Sequence, residues 1–288
     1  MAQSGAALGS ATSSGNSLVA QPTSTLDIRI TGLDGLRGFM TLMVVISHFF
    51  AELPHGISAF GFGFFGVIGF FALSGFLIGR LILEKKDHAN FMTVFYVRRF
   101  CRMIPPFFLV LAIILGLYAL FGHYHWSDVD VAFPWWSYVL FIQNFFMVSA
   151  NSIGGHWLAP TWTLAVEEHF YLIVPAALLF TPRRHLLKGL IAVGIASLMF
   201  RICIFGFGMA PNVTGRVILP AVADTLVCGL IAAVLFKTEG IRWEKYDWAL
   251  RIIPLVTFMA TAVIVFLENG NGPLFPTIGT TLLAIGAS

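Results

Sequence analysis

Long apolar stretches separated by short polar connections dominate the chain after its first 26 residues. Most of these stretches approach the roughly 20 residues that an α-helix needs to cross a bilayer. The pattern therefore predicts an all-α fold, a polytopic transmembrane helical bundle with about eight or nine hydrophobic segments. The more regular segments are 35–51, 60–83, 104–121, 163–181, 187–206, 217–236 and 249–267, and the less regular ones are 131–148 and 273–288.

The two ends of the chain depart from this pattern, because the first is polar and the last is an apolar segment without a polar flank. Residues 1–26 are rich in Ser, Ala, Gly and Thr, with no basic cluster and no long apolar run, so we expect a disordered polar tail and not a signal peptide. Residues 27–288 are expected to form one membrane-embedded domain. The last apolar segment stops with the chain and has no polar flank, which is compatible with a C-terminally incomplete domain.

Lys and Arg concentrate in a few connections, and basic residues favour the cytoplasmic side of a membrane. The basic connections are 84–103, 181–188 and 237–251. The connections without Lys or Arg, expected outside, are 52–59, 122–130, 149–162 and 268–272. This alternation predicts a multi-pass protein of the cell membrane with a cytoplasmic N-terminus.

Segment 131–148 conflicts with that alternation, because a full crossing there would place the next helix on the wrong side. We therefore interpret it as re-entrant or interfacial, and its Trp135-Trp136 pair suits the membrane–water interface. The alternative is a full crossing with one weakly basic connection assigned to the wrong side.

Composition supports a membrane protein and excludes other classes. Hydrophobic residues make up 58% of the chain and charged residues 11%, against roughly 25% charged residues in a soluble domain; the mean hydropathy is +0.86. These values exclude an ordinary soluble enzyme, a disordered chain and a disulfide scaffold. A formal charge of +3 indicates no basic face for nucleic acid, so we expect the lipid bilayer and no nucleic acid as a partner. The sequence indicates no oligomeric state.

Ionisable residues within apolar segments mark function or buried pairs. His48 follows Arg37 by eleven positions, roughly 16 Å along a helix, which places it near the outer end of its segment. A neutral imidazole can take a proton from a hydroxyl near neutral pH, and a carboxylate can orient it. Glu167 is at the predicted depth for that role, and Tyr171 shares its helix face at i+4.

Two further pairs of charged residues each have two competing interpretations. Arg201 and Asp224 are predicted at similar depth, where they either serve function or neutralise each other. Arg99 and Arg102 lie three positions apart, so a helix would place them on one side, just before Pro105 at the start of the next span. They are either ordinary topogenic charge or a phosphate clamp at the cytoplasmic surface.

Several stretches, taken together and in order, resemble the acyltransferase-3 family of integral membrane acyltransferases, over about residue 30 to the end. They are Leu33–Gly38 with His48 ten positions after Gly38, Phe71–Ile78, Arg99–Pro105, Trp162–Tyr171 and the later block Leu219–Ala232. The sequence departs from the family at Thr163, where Ser is usual, and at His169, where Gln is usual.

The resemblance implies transfer of an acyl group, expected to be acetyl, from acyl-coenzyme A to a hydroxyl of a carbohydrate, lipid-linked glycan or small metabolite. No metal is expected. The implied catalytic residues are His48, Glu167, Tyr171 and Trp162, and the implied donor-binding residues are Arg37, Arg99 and Arg102. A proton-coupled membrane transporter is the alternative, because proton relays also use intramembrane ionisable residues.

Overall fold

A computed structural model of the protein describes residues 31–51, 60–121, 133–155, 157–238, 243–268 and 272–288. Regular structure in these ranges is entirely helical, as the apolar pattern predicts. The long helices are α1 (Thr31–Ala51), α2 (Phe60–Lys85), α3 (Phe91–Phe121), α6 (Thr161–Phe180), α7 (Arg183–Phe207), α9 (Leu219–Lys237) and α10 (Asp247–Leu267). The short elements are α4 (Trp135–Val139), α5 (Gln143–Ala150), α8 (Thr214–Val217), a 3₁₀-helix (Trp243–Tyr246), a π-helix (Phe275–Gly279) and α11 (Thr280–Ala287).

Some predictions fall on parts of the chain that lie outside the described residues. These are the polar tail at 1–26, the outer connections 52–59 and 122–130, and part of 268–272.

Six helical stretches in the described ranges are long and apolar enough to cross a membrane, so the protein is a multi-pass membrane protein. They are Gly63–Lys85, Phe91–Leu120, Thr161–Phe180, Arg183–Phe207, Thr214–Lys237 and Asp247–Leu267. The predicted count of eight or nine is therefore not confirmed. α1 is 21 residues long, but Arg37 near its start and His48 near its end shorten its apolar stretch.

Segment 131–148 forms two short helices instead of one crossing. α4 has five residues and α5 has eight, well below the roughly 20 that a crossing requires. The full-crossing alternative is thus not formed, and the short helices agree with the re-entrant or interfacial interpretation. The last apolar segment is also short, a helical stretch from Phe275 to Ala287.

α3 begins well before the start predicted for its apolar span. It runs for 31 residues from Phe91 and carries Pro105 and Pro106 in its interior, so the expectation that these prolines open the helix was wrong. The buried side chains of Phe91 and Phe95 hold the additional turns against the core. The basic cluster 98–102 therefore lies on α3 itself and not in a connection before it.

α2 and α9 pack closely against each other at the centre of the bundle. A side chain at Gly75 would clash with the carbonyl of Leu226, and one at Gly229 would clash with the carbonyl of Ala72. These glycines let the two backbones approach, which is the usual role of small residues between membrane helices. The glycines of the 70–79 stretch are thus explained by packing.

Helix directions follow the predicted alternation. Lys237 at the end of α9 donates a hydrogen bond to the carbonyl of Leu83 near the end of α2, so these helices run in parallel. Ser47 near the end of α1 lies against Gly63 near the start of α2, so that pair is antiparallel. As a result, the ends of α1 and α7 meet the starts of α2, α6 and α9 at one end of the bundle.

Candidate functional site

A cavity of about 500 Å³ lies at this end of the bundle. Its volume is in the range of small-molecule binding sites, and its wall is mostly apolar. His48 from α1 and Trp162 from α6 both line it. We call it the His48 cavity, defined by residues that include Val44, His48, Phe70, Phe71, Trp162 and Arg216.

α5 holds two walls of the His48 cavity in place. The side-chain amide of Asn144 is buried and donates to the carbonyl of Trp162 at 3.0 Å and to the carbonyl of Val217 at 2.6 Å. Its neighbour Gln143, also buried, donates to the carbonyl of Thr161 at 3.1 Å. Since Trp162 and Val217 both line the cavity, these amides fix the start of α6 relative to α8.

The Glu167 carboxylate is held deeper in the bundle by two hydroxyl groups. Ser74 Oγ of α2 donates to Glu167 Oε1 at 2.8 Å, and the Tyr171 hydroxyl donates to Oε2 at 3.0 Å. Glu167 is only 5% exposed, and an ionised carboxylate in such a site requires donors and nearby positive charge. Two helices therefore determine the position of this carboxylate.

Positive charge near Glu167 comes from α1 and α3. The Arg99 guanidinium lies 3.6 Å from the centroid of the Tyr171 ring, a close cation–π contact. The Arg37 guanidinium lies 5.7 Å from the centroid of the Phe70 ring. Both charges act electrostatically on the Glu167 carboxylate, so Arg37, Arg99, Glu167 and Tyr171 form one cluster.

A second cavity, of about 480 Å³, separates α3 from α6. We call it the Arg99 cleft, and its lining includes Tyr96, Arg99, Phe141, Glu168, His169 and Tyr171. Glu168 Oε1 is buried there without a hydrogen-bond partner in the described part of the chain. Phe141 adopts a left-handed backbone conformation, with φ of 56°, which is strained for a bulky residue. The Arg99 cleft and the His48 cavity share no lining residue.

The structure thus divides the residues predicted for the site. His48 and Trp162 line one cavity, whereas Arg37, Arg99, Glu167 and Tyr171 cluster beside it. Arg102 is exposed on α3 and lines neither cavity.

The predicted hydrogen bond between His48 and Glu167 is not formed in this structure. Ser74 and Tyr171 bind the two oxygens of Glu167, and Glu167 does not line the His48 cavity. Glu167 lies five residues after Trp162, roughly 7.5 Å further along α6 and rotated by about 140° around its axis, so its side chain faces Ser74 and not the cavity. The predicted base and the predicted donor-binding residue Arg99 likewise line two separate cavities.

Arg201 and Asp224 pair with each other, as one of the two interpretations proposed. Both are 1% exposed, and two hydrogen bonds of 2.6 Å join the guanidinium to the carboxylate. Ser197 of α7 and Thr281 of α11 also donate to Asp224, at 3.1 and 2.6 Å. The pair therefore ties α7, α9 and α11 together, and its first role is structural.

Two residues of the site were not selected from the sequence. Ser74 lies in an apolar helix, where a hydroxyl needs a hydrogen-bond partner, and this need is the signal that could have predicted its bond to another helix. Arg216 precedes the apolar segment 217–236, and no local pattern in the sequence places it in a cavity wall.

Comparison with known proteins gives a family match over most of the chain. The acyltransferase domain family, acyltransferase-3, matches residues 30–288. The peptidoglycan O-acetyltransferase OatA of Listeria monocytogenes is 29% identical over 202 residues, which are 64% of this chain and 30% of that protein. The O-acetyltransferase OatA of Staphylococcus aureus is 27% identical over 186 residues, 61% of this chain and 30% of that protein. The chain thus covers under a third of each of these relatives, and no solved structure matches it.

Proposed function

Because the chain belongs to the acyltransferase-3 family, we propose that it is the membrane part of an O-acyltransferase. It moves an acyl group, acetyl by analogy with the named relatives, from acyl-coenzyme A to a hydroxyl of a carbohydrate, a lipid-linked glycan or a small metabolite. The observation that supports this most is the placement of His48, a residue able to act as a base, in a cavity of about 500 Å³. No observation specifically favours the transporter alternative.

The acceptor occupies the His48 cavity in this proposal. The neutral imidazole of His48 takes the proton of the acceptor hydroxyl as its oxygen attacks the thioester carbonyl. A new carbon–oxygen bond forms, the carbon–sulfur bond breaks, and the proton passes from the imidazolium to the departing coenzyme A thiolate. In this proposal the indole N–H of Trp162, which lines the same cavity, stabilises the negative charge that develops on the carbonyl oxygen.

The donor binds from the side of the Arg99 cleft. Arg99 and Arg37 supply positive charge for its phosphates, and the exposed Arg102 meets the nucleotide end. The proposal requires the thioester end of the donor to reach the His48 cavity, which Trp162 and Thr163 of α6 help to line. A covalent acyl-enzyme relay is the alternative to direct transfer.

Glu167 has a different role here from the one its sequence context suggested. Its contacts are with Ser74 and Tyr171, beside Arg99. We propose that Glu167 holds the Tyr171 hydroxyl in place and balances the positive charge of Arg99 and Arg37. Donor binding at these arginines would then affect the part of α6 that carries both Glu167 and Trp162. Glu167 reaches His48 directly only if donor binding shifts α6.

We infer the orientation in the membrane from the charges at the ends of the helices. Lys85, Lys237 and Arg183 lie at the end of the bundle opposite the His48 cavity. Basic residues favour the cytoplasmic side, so we place the N-terminus and the donor entrance in the cytoplasm and the His48 cavity towards the exterior.

The test uses membranes that contain the full chain, labelled acetyl-coenzyme A and a panel of hydroxylated acceptors. His48→Ala should lower the transfer rate by roughly 10²- to 10⁴-fold, the usual contribution of a general base, while protein levels stay normal. His88→Ala, at an exposed histidine away from both cavities, is the matched control. Full transfer by His48→Ala would reject the assignment of the base. Folded wild-type protein that releases no thiol with any acceptor but acidifies vesicles would favour the transporter.

A further inference from the structure

The Glu168 carboxylate accepts no hydrogen bond within the described part of the chain. Glu168 lies in α6 and lines the Arg99 cleft, and its Oε1 atom is buried. Its neighbour Glu167, by contrast, has a hydroxyl donor on each oxygen. A carboxylate oxygen removed from water is costly unless a donor replaces the lost hydration. The cleft therefore contains an acceptor that an N–H or O–H group of a ligand would satisfy.

The hydroxyl groups of the Arg99 cleft are engaged elsewhere. The Tyr96 hydroxyl donates to the carbonyl of Leu172 at 3.0 Å, and the Tyr171 hydroxyl donates to Oε2 of Glu167 at 3.0 Å. A phenol has one O–H to donate. Neither hydroxyl can therefore serve Glu168 without giving up the bond that it makes in this structure.

The nitrogen donors of the cleft are directed elsewhere as well. The Arg99 guanidinium packs over the Tyr171 ring, 3.6 Å from its centroid, and it makes no hydrogen bond to Glu168 in the ranges that the structure describes. The His169 ring is hydrogen-bonded to the backbone of Phe141. The Arg99 cleft thus presents a cation and an acceptor as two separate binding groups.

The depth of Glu168 along α6 places it between the Arg99 level and the His48 cavity. Arg99 lies on Tyr171, and Glu168 precedes Tyr171 by three residues, roughly 4.5 Å closer to the His48 cavity. Thr163, which lines that cavity, lies five residues before Glu168, roughly 7.5 Å further in the same direction. In acyl-coenzyme A the two amide groups of the pantetheine arm likewise lie between the phosphates and the thioester.

We propose that Glu168 binds the pantetheine arm of the donor, by accepting a hydrogen bond from one of its two amide N–H groups. This inference rests on the proposed function, because it takes acyl-coenzyme A as the occupant of the Arg99 cleft. The terminal torsion of a Glu side chain is soft, so its rotation can turn either oxygen towards the arm. The carboxylate repels the phosphates that Arg99 attracts, which favours a neutral N–H group beside Glu168.

The experiment compares coenzyme A with two analogues, each of which has an ester oxygen in place of one pantetheine N–H. Equilibrium binding is measured with the full chain in lipid nanodiscs, using the free thiols, so that no transfer is needed. Wild-type protein should bind coenzyme A more tightly than one of the two analogues by roughly 10- to 150-fold, the effect of a hydrogen bond to a charged group. Equal affinity for all three molecules overturns the inference, whatever the variants do.

Variants assign this preference to Glu168. Glu168→Leu removes the acceptor at similar volume and should abolish the preference, whereas Glu168→Gln keeps an oxygen that accepts an N–H and should keep part of it. Glu84→Leu is the control, because Glu84 already pairs with Arg80 and lines neither cavity, and it should keep all of the preference. An equal loss of affinity for all three molecules in Glu168→Leu, the preference being retained, would assign Glu168 a structural role and overturn the proposal.

Acyl transfer from the acetylated forms of the same three molecules separates this inference from the proposed function. Normal transfer together with equal binding of amide and ester forms rejects the Glu168 assignment and leaves the transferase in place. A preference for the amide form that depends on Glu168, without transfer to any acceptor, supports the assignment and contradicts the activity alone. Folded wild-type protein that neither binds coenzyme A nor transfers an acetyl group overturns both.

Discussion

Ser74→Ala is a direct perturbation of the Glu167 carboxylate. The substitution removes the hydroxyl that donates to Glu167 Oε1 at 2.8 Å and leaves the Tyr171 hydroxyl as the donor to Oε2. Ser74 is 8% exposed and Glu167 is 5% exposed, so bulk water does not replace the lost donor. Alanine fits the space, and packing against α9 is preserved.

The magnitude follows from the burial of the acceptor. Hydrogen bonds between membrane helices are worth about 0.6 kcal/mol on average, but a buried acceptor that loses its donor costs about 1 to 3 kcal/mol. Because Glu167 is so enclosed, we expect Ser74→Ala to lower the free energy of unfolding by about 1 to 3 kcal/mol. If the carboxylate position matters for transfer, kcat/KM falls roughly 5- to 150-fold, since 1.36 kcal/mol is a factor of ten.

The assay is denaturant unfolding in mixed micelles, together with acyl transfer by the same preparations. Ser149→Ala removes an exposed hydroxyl that donates to the carbonyl of Phe146 in its own helix, so it is the matched control. Ser74→Ala combined with Tyr171→Phe should be non-additive, because both hydroxyls bind the same carboxylate. The role of Ser74 is refuted if Ser74→Ala changes the free energy of unfolding and the transfer rate no more than Ser149→Ala does. It is also refuted if the effect of the double variant equals the sum of the effects of the two single variants.

Three more predictions concern packing, the buried pair and the donor. Gly229→Ala should abolish the monodisperse peak of the detergent-extracted protein in size-exclusion chromatography, because the added methyl group meets the carbonyl of Ala72. Gly194→Ala, which has open space around it, should keep that peak, and the same elution profile for both variants would contradict the packing of α2 against α9. Asp224→Asn breaks a buried ion pair and should lower the free energy of unfolding by about 3 to 5 kcal/mol. Asp247→Asn breaks a pair in which Arg251 is 78% and Asp247 59% exposed, and it should change the free energy of unfolding by under about 1 kcal/mol. Similar losses in the two variants would show that burial does not decide the strength of the Arg201–Asp224 pair. Arg102→Ala should raise the KM for acyl-coenzyme A with little change in kcat, and an unchanged KM would remove Arg102 from donor binding.

The architecture was largely predictable, because membrane helices can be recognised in a sequence by the length and the apolar composition of their segments. Segments such as 187–206 and 249–267 correspond to α7 and α10 within a few residues. The prediction was less good where local sequence competes with tertiary packing. α3 continues through Pro105 because Phe91 and Phe95 are buried, and no periodic signal in the sequence indicates which side of those residues meets the core.

The sequence allowed the depth of each candidate residue to be predicted, but not how the candidates are arranged around each other. Depth along a helix can be counted from the sequence, and it correctly separates the level of His48 from the basic end of the bundle. Rotation about each helix axis cannot be counted in the same way. Glu167 consequently faces Ser74 and not His48, and Arg99 lies on Tyr171 while Arg102 points elsewhere.

The central claim is that the acceptor binds in the His48 cavity, and blocking that cavity tests it most directly. In a background with Cys101, Cys203 and Cys228 replaced by alanine, Thr163→Cys places a thiol in the cavity wall, and Ser149→Cys places one outside it. Alkylation with a bulky maleimide should abolish transfer only in Thr163→Cys, and a saturating acceptor should slow its labelling. Full transfer by the alkylated Thr163→Cys protein, with labelling that acceptor does not slow, would contradict the account.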